Sequence, residues 1–283
     1  KSNIFLMQLQ HNRPSSIFGE EFILGSYLSR LFPLLIALAY FKNYFKNYNE
    51  IILIFLSFFI FISIYLTGER VAIFNNFVTI FFLIILLKSK QLIKYIFIFY
   101  FLFITYLVFF SNLFINNRII QTTIKQMQLF DEQKFLFSRT IEGYYHTALN
   151  MFYANPLLGV GPKNYRIKCD DPEYAHLLSI YEYCNNHPHN ILIQLLAESG
   201  IFTSLLYIFF ILWLFYYLIK YFFNSIKYRV DNIYKFNFFI FLCLFINISP
   251  FLPSGNFFNS WLNSIYYLIF GFIIYSKKLI KEK

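Results

Sequence analysis

Apolar residues in this chain come in long blocks separated by short polar breaks, at 22–41, 51–66, 71–87, 92–115, 201–223, 236–252 and 260–276. Each block is near the roughly 20 residues that a helix needs to cross the hydrocarbon of a bilayer. Backbone amides and carbonyls find no water there, so each block is predicted as a helix. One long polar interval, 116–190, separates the first four blocks from the last three. The expected fold is an all-α polytopic membrane protein with about seven transmembrane helices. Its organisation reads as a four-helix membrane segment with an external N-terminus (1–115), a large external loop (116–190), and a helix returning to the membrane followed by three C-terminal spans (191–283). Within the loop, Ile141, Tyr144, Tyr145, Ala148, Leu149 and Phe152 recur at helical spacing. Ser138 can cap that run and Asn155-Pro156 stops it, which predicts an amphipathic helix lying against the membrane or the spans.

Composition agrees with the pattern. The 283 residues are 58% hydrophobic and 13% charged, against about 25% charged for an ordinary soluble domain. The 41 Phe and 24 Tyr suit an AT-rich genome and are not read as a ligand-stacking surface. Lysine and arginine gather at alternate breaks, around Lys42 and Lys46, Lys88 to Lys94, Lys220 to Lys235, and the tail from Lys277. Short cytoplasmic loops carry such an excess, which places the long interval and its histidines outside. The net charge of +10 then reflects anchoring, and nucleic acid is not an expected partner. The chain begins at Lys1, and its first 21 residues lack a basic, apolar, small-residue leader pattern. A fragment lacking earlier N-terminal spans is the expectation.

Several residues are hard to explain as packing. Arg70, in "TGER", is the only basic residue in the short outer loops, at the outer end of the second span; the alternative is a snorkelling anchor. Arg139 opens the amphipathic helix, where unpaired amides already favour anions and a guanidinium adds a two-pronged grip; the alternative is a solvated charge. Arg30 lies about two turns into the first span, with Glu20 and Glu21 as candidate partners. Gly159, Gly161 and Pro162 make a tight turn without the strand and Gly-Lys-Ser/Thr ending of a phosphate loop, so a structural bend is favoured. Pro188 keeps His187 out of the helical region, and the His187-Pro188-His189 turn marks where the outer loop returns to the membrane. A metal needs at least three ligands, and side chains two apart in extended chain diverge. Proton handling or hydrogen bonding is the better reading of these histidines, with a plain loop residue as the alternative. Cys169 and Cys184 lie in the external loop, where an oxidising compartment either pairs them or leaves two free thiols. Cys243 falls in a span.

The constellation "YLTGERVAIF", "RTIEGYYHTALNMFYANPLLGVGPKNYR", "HPHNILIQLLAESGIF" and "PFLPSGNFFNSWLNSIYYLIFG" resembles the O-antigen ligase and polymerase superfamily of bacterial inner-membrane proteins, over about residues 13–275 and in that family's order. The most specific element is His189, Asn190 and the later Gly200; the cysteines ahead of "HPHN" are similar to a subgroup. The resemblance implies transfer of a glycan from an undecaprenyl-diphosphate carrier to an acceptor at the periplasmic face, the acceptor being lipid A core for a ligase or another lipid-linked glycan for a polymerase. It implies that Arg70 and Arg139 hold the diphosphate and that His189 is the catalytic histidine. Arg30, Glu20, Glu21, His187, Asn190 and Glu198 are candidate supporting residues. No cofactor and no metal are expected, and the remaining partner is the lipid bilayer. Glu69 departs from the family pattern, which more usually has a small or polar residue there.

The chemistry suits these residue types. A lipid diphosphate is already a competent leaving group, so it needs fixed positive charge where negative charge grows, not a general acid. A sugar hydroxyl is a weak nucleophile, and a base beside it contributes about 10²- to 10⁴-fold. Attack opposite the diphosphate inverts the anomeric centre, so one base suffices. The competing readings are a polytopic transporter or flippase, which would place broken helices and repeats near the midplane, and a non-catalytic envelope scaffold. Between ligase and polymerase the sequence does not decide.

Overall fold

The structure, a computed structural model, describes residues 9–10, 13–14, 18, 23–41, 49–87, 99–100, 102–103, 122–127, 136–175, 184–228 and 231–281. Among these the elements run β1 (Leu9–Gln10), β2 (Arg13–Pro14), α1 (Leu24–Phe41), α2 (Asn49–Thr67), α3 (Arg70–Leu86), α4 (Thr122–Met127), α5 (Arg139–Ala154), α6 (Tyr165–Lys168), α7 (Ile191–Lys227), α8 (Asn232–Ile248) and α9 (Ser260–Lys281). The fold is thus helical apart from one short antiparallel pairing, in which Leu9 faces Pro14 and Gln10 faces Arg13. Six of the apolar blocks are helices; the block at 92–115 lies outside the described residues except at 99–100 and 102–103. Among the described residues two helices, α1 and α7, are long and apolar enough to cross a membrane.

Contacts divide the chain into two units. One comprises Lys1–Thr122, Tyr217–Ile246 and Tyr275–Lys283; the other comprises Thr123–Tyr216 and Asn247–Ile274. The long loop and the turn between α8 and α9 fall in the same unit, and the residues around Asn190 bond the residues around Ser254.

In the first unit α1 packs on α2 and α3. The turn between α2 and α3 shows why "TGER" has its residues. Thr67 ends α2, and Gly68 takes φ 65°, the left-handed conformation that glycine adopts after a helix. Glu69 precedes α3 but does not cap it. Its carboxylate instead accepts from the Gly25 N–H at 2.8 Å, the Ser26 N–H at 2.9 Å and the Ser26 hydroxyl at 2.6 Å. These are first-turn amides of α1, which have no partner within their own helix and favour a negative charge. Glu69, the departure from the family pattern, therefore serves as the cap of another helix. A side chain on Gly25 would run into the Thr67 hydroxyl.

Helix α8 is mostly apolar, with Lys235, Asn237 and Asn247 as polar exceptions, and every residue from Lys235 to Leu244 is buried, as suits a helix enclosed by others. Phe239 stacks on Tyr40, Phe236 meets Phe41, Phe238 meets Phe82 and Phe222, and Phe241 meets Tyr217 and Tyr221. Lys235, expected to flank a cytoplasmic break, has its ammonium 5.0 Å from the centre of the Tyr40 ring. The contrast is α7, where Phe202, Leu206 and Phe209 are 62%, 70% and 65% exposed, a surface suited to hydrocarbon and not to water.

In the second unit Ser138 caps α5, its hydroxyl oxygen accepting from the Ile141 N–H at 3.2 Å, and Asn155 ends it. The buried stripe of α5 is Tyr144, Thr147, Ala148 and Met151. Ile141, Tyr145, Leu149 and Phe152 are only half-buried; the apolar face is wider than the buried one. Tyr144, Ala148 and Met151 share a core with Val160, Tyr165, Cys169, Tyr174 and Ala197.

The Gly159–Pro162 turn closes on the break in α7. Gly200 has φ 74° and ψ −171°, a region open in practice to glycine alone. The break frees carbonyls that the loop then uses: Val160 N–H donates to Ala197 O at 2.9 Å and Gly161 N–H to Glu198 O at 3.0 Å, while Ile201 N–H donates to Pro156 O at 2.9 Å. A Cβ on Gly159 would come within 2.5 Å of the Glu198 backbone, and one on Gly200 would strike the Leu157 carbonyl. The two glycines are required by one close approach.

Candidate functional site

The site is built on the turn that leads into α7. Asn190 caps that helix: its side-chain oxygen accepts from the Ile193 N–H at 3.2 Å and its amide nitrogen donates to the Pro250 carbonyl at 2.8 Å. His189, one residue earlier, has φ 58°. A non-glycine residue in that region is uncommon and is held there by its surroundings. The holding contacts are explicit. Its carbonyl accepts from the Ser254 N–H at 2.7 Å, its ring lies 4.2 Å from that of His187 and 5.8 Å from that of Tyr144, and its Nε2 is 3.3 Å from the side-chain nitrogen of Asn185. His187 Nε2 is 3.2 Å from the Ser254 carbonyl. A carbonyl only accepts, so His187 carries its proton on Nε2. The peptide of Ser254 is thus gripped at both ends by the two histidine residues, and among the described residues its buried hydroxyl has no hydrogen-bond partner.

These surroundings keep both imidazoles neutral. Burial pushes His187 down from 6.5 to about 4, with the neighbouring His189 adding to the fall and the Ser254 backbone opposing it. Burial lowers His189 as well, against the same opposition from Ser254. Desolvation penalises the imidazolium, so a neutral ring with one basic nitrogen is the stable state near neutral pH. On α5, burial pushes the Tyr145 phenol up to about 12, with the Asn190 side chain pulling it down and Glu142 adding to the rise.

Behind the turn, Gln194 and Glu198 stand one helical turn apart on α7, both fully buried. The Gln194 amide donates to the Glu198 carboxylate at 2.9 Å and to the Asn256 side chain at 2.8 Å, and its oxygen accepts from the Phe257 N–H at 2.9 Å. Glu198 also accepts from the Tyr165 N–H at 2.9 Å. This pair ties α7 to the long loop on one side and to the turn between α8 and α9 on the other.

The sequence candidates fall as follows. Arg139 is the first residue of α5 and lies in the same unit as His187, His189, Asn190 and Glu198; Arg70 is the exposed first residue of α3, in the other unit. Arg30 is buried in α1, where its carbonyl accepts from the Cys243 thiol at 3.2 Å. Glu20 and Glu21 lie outside the described residues. Cys169 and Cys184 are joined as a disulfide with Cα atoms 5.0 Å apart. With Asp170 they form the one grouping of ligand-type side chains among the described residues, and sulfurs bonded to each other offer no thiolate to a metal. Sequence reasoning did not reach Asn185, Gln194, Tyr145 or Ser254 as parts of this site. For Gln194 a signal existed, since it precedes Glu198 by four residues on one helix face; for Ser254 none did, because its role is carried by its backbone.

Residues 55–208, more than half of the chain, match the family described as O-antigen ligase. No curated protein and no solved structure matches the chain. The matched stretch includes α3, α5, the interlocked glycines and the whole histidine turn, and on that match the chain belongs to the O-antigen ligase family, a family of glycosyltransferase-like membrane enzymes that act on lipid-linked glycans.

Proposed function

We propose that this protein is an inverting, metal-independent glycosyltransferase of the bacterial inner membrane, with about seven spans, whose long loop and histidine turn face the periplasm. The donor is an undecaprenyl-diphosphate-linked glycan, and the acceptor is a sugar hydroxyl of lipid A core or of a second lipid-linked glycan. In the reaction, His189 takes the proton of the acceptor hydroxyl as its oxygen bonds to the anomeric carbon. The bond from that carbon to the diphosphate breaks, and the electron pair leaves with the carrier diphosphate. Arg139 and Arg70 contribute fixed positive charge to the departing diphosphate, which a guanidinium does without a protonation step.

The observation that carries this reading is His189: a desolvated imidazole held in a left-handed backbone conformation, in a chain of the O-antigen ligase family. A strained, fixed, neutral ring is what a general base needs and what a plain loop histidine does not. The test is reconstitution in liposomes with a carrier-linked glycan and each acceptor in turn. A single block on lipid A core indicates ligation, and a ladder of lengths indicates polymerisation. His189→Ala is expected to lower turnover by about 10²- to 10⁴-fold. Unchanged turnover in His189→Ala removes the base, and vesicle uptake of substrate without covalent product favours transport.

A further inference from the structure

A base must present its lone pair on the correct ring nitrogen, and the histidine turn contains the group that decides which one. The side-chain oxygen of Asn185 accepts from the Asn186 N–H at 2.6 Å. That contact turns the amide nitrogen toward His189 Nε2, 3.3 Å away. An amide NH2 only donates, so Nε2 is the acceptor and the neutral ring carries its proton on Nδ1. The ring has little freedom to exchange the two nitrogens, because its carbonyl is bonded to Ser254 and its faces meet Tyr144 and His187. Asn185 is itself restrained: it follows Cys184, which is bonded to Cys169, a fully buried member of the core formed by Tyr144, Met151 and Tyr165.

We propose that Asn185 is a positioning residue for glycosyl transfer, which holds the lone pair of His189 on Nε2 in the resting enzyme and yields that place to the acceptor hydroxyl. The hydroxyl then donates to Nε2 as the amide had done, and its proton passes to the same nitrogen when the new C–O bond forms. The disulfide fixes the chain on one side of Asn185, so the amide keeps its aim in the empty site. The ionisable side chains on the elements around His189 are His187 on its own turn; Arg139, Glu142, Tyr144, Tyr145, His146 and Tyr153 on α5; and, in the first turns of α7, Glu198, which is already engaged by Tyr165 and Gln194. This inference rests on the reading of His189 as the base, but its first test does not.

The full chain, labelled with 15N-histidine and placed in lipid nanodiscs, reports the tautomer of His189 by NMR without any substrate, the signal being the one lost in His189→Ala. The expected wild-type result is an unprotonated Nε2; a protonated Nε2 overturns the proposal. Asn185→Asp replaces the donor with an acceptor, so the proton is expected to move to Nε2. Turnover should then fall by about 10²-fold or more even where the ring is neutral, and the acid limb of the pH profile should move up by about one unit or more. An unchanged tautomer in Asn185→Asp also overturns the proposal. Should that variant fail to fold, reduction of the disulfide in the wild-type protein serves instead: a mixed tautomer is expected, and a sharp unchanged Nε2 signal refutes the tether. If the tautomer responds in these ways while His189→Ala keeps full turnover, Asn185 still sets the His189 tautomer, but its role in glycosyl transfer fails together with the base reading.

Discussion

His189 and His187 are basic groups whose folded pKa values lie below 6.5. Below pH 6.5 the unfolded chain therefore binds more protons than the folded one, and stability falls as pH falls. For His187 the window runs from 6.5 down to about 4. Thermal unfolding in detergent is expected to show a midpoint that declines across that window, and the decline should shrink in His187→Gln. A midpoint flat from pH 7 to 4.5 would show that the histidine turn is not desolvated. Asn190 makes two bonds with different consequences, one as helix cap and one to Pro250. Asn190→Ala is expected to cost about 1–2 kcal/mol for the cap, with a further loss of turnover as the turn at Pro250 is released. Asn190→Ser, which keeps the cap alone, separates the two: stability should return and turnover should not.

At the scale of elements, the interlock between the Gly159 turn and the break in α7 gives a sharp expectation. Gly200→Ala places a side chain against the Leu157 carbonyl in a backbone region that L-residues avoid, at a cost of at least about 1–3 kcal/mol. Gly159→Ala meets the same junction from the other side, so the double variant should cost less than the sum of the singles. Additive losses, measured by urea unfolding in detergent, would mean that the two glycines act at separate places. Glu69→Ala leaves the first amides of α1 without their acceptor, an expected loss on the order of 2–3 kcal/mol, and Glu69→Gln should recover only part of it. The helices themselves were legible because hydrophobic blocks and stop signals are local: Ser138 and Asn155 bound α5 where the pattern said they would. The interlock was not legible. "GVGP" reads alone as a bend and Gly200 only as part of a family resemblance, and only their meeting explains why each needs glycine. Glu69 shows the same limit, since it serves a helix that begins 45 residues before it in the chain (69 − 24 = 45).

For the molecule as a whole, family membership was readable from the order of short motifs, because those motifs hold the residues that fix the histidine turn. The partnership of that turn with the turn between α8 and α9 was not, since it is made by the backbone of Ser254 and Pro250 and leaves no mark on residue type. Orientation is a separate matter that charge asymmetry alone supports. It predicts that a cysteine placed at Leu158 is labelled from outside intact cells, and one placed at Tyr228 only after the membrane is opened; the reverse result would invert the proposed topology. The burial of α8 has a consequence for how such a chain is made. A helix that presents Lys235 and Asn237 on its surface and is wrapped on all sides by α1, α3 and the end of α7 has no face to offer lipid by itself. Its aromatic partners on those helices all precede it in the chain, although Tyr266 of α9, which follows it, bonds the Asn247 carbonyl near its end, so the ribosome delivers much of the shelter before the helix that needs it. A permuted gene that translates α8 first would strand an ammonium and an amide in hydrocarbon, and its product should be degraded before it assembles.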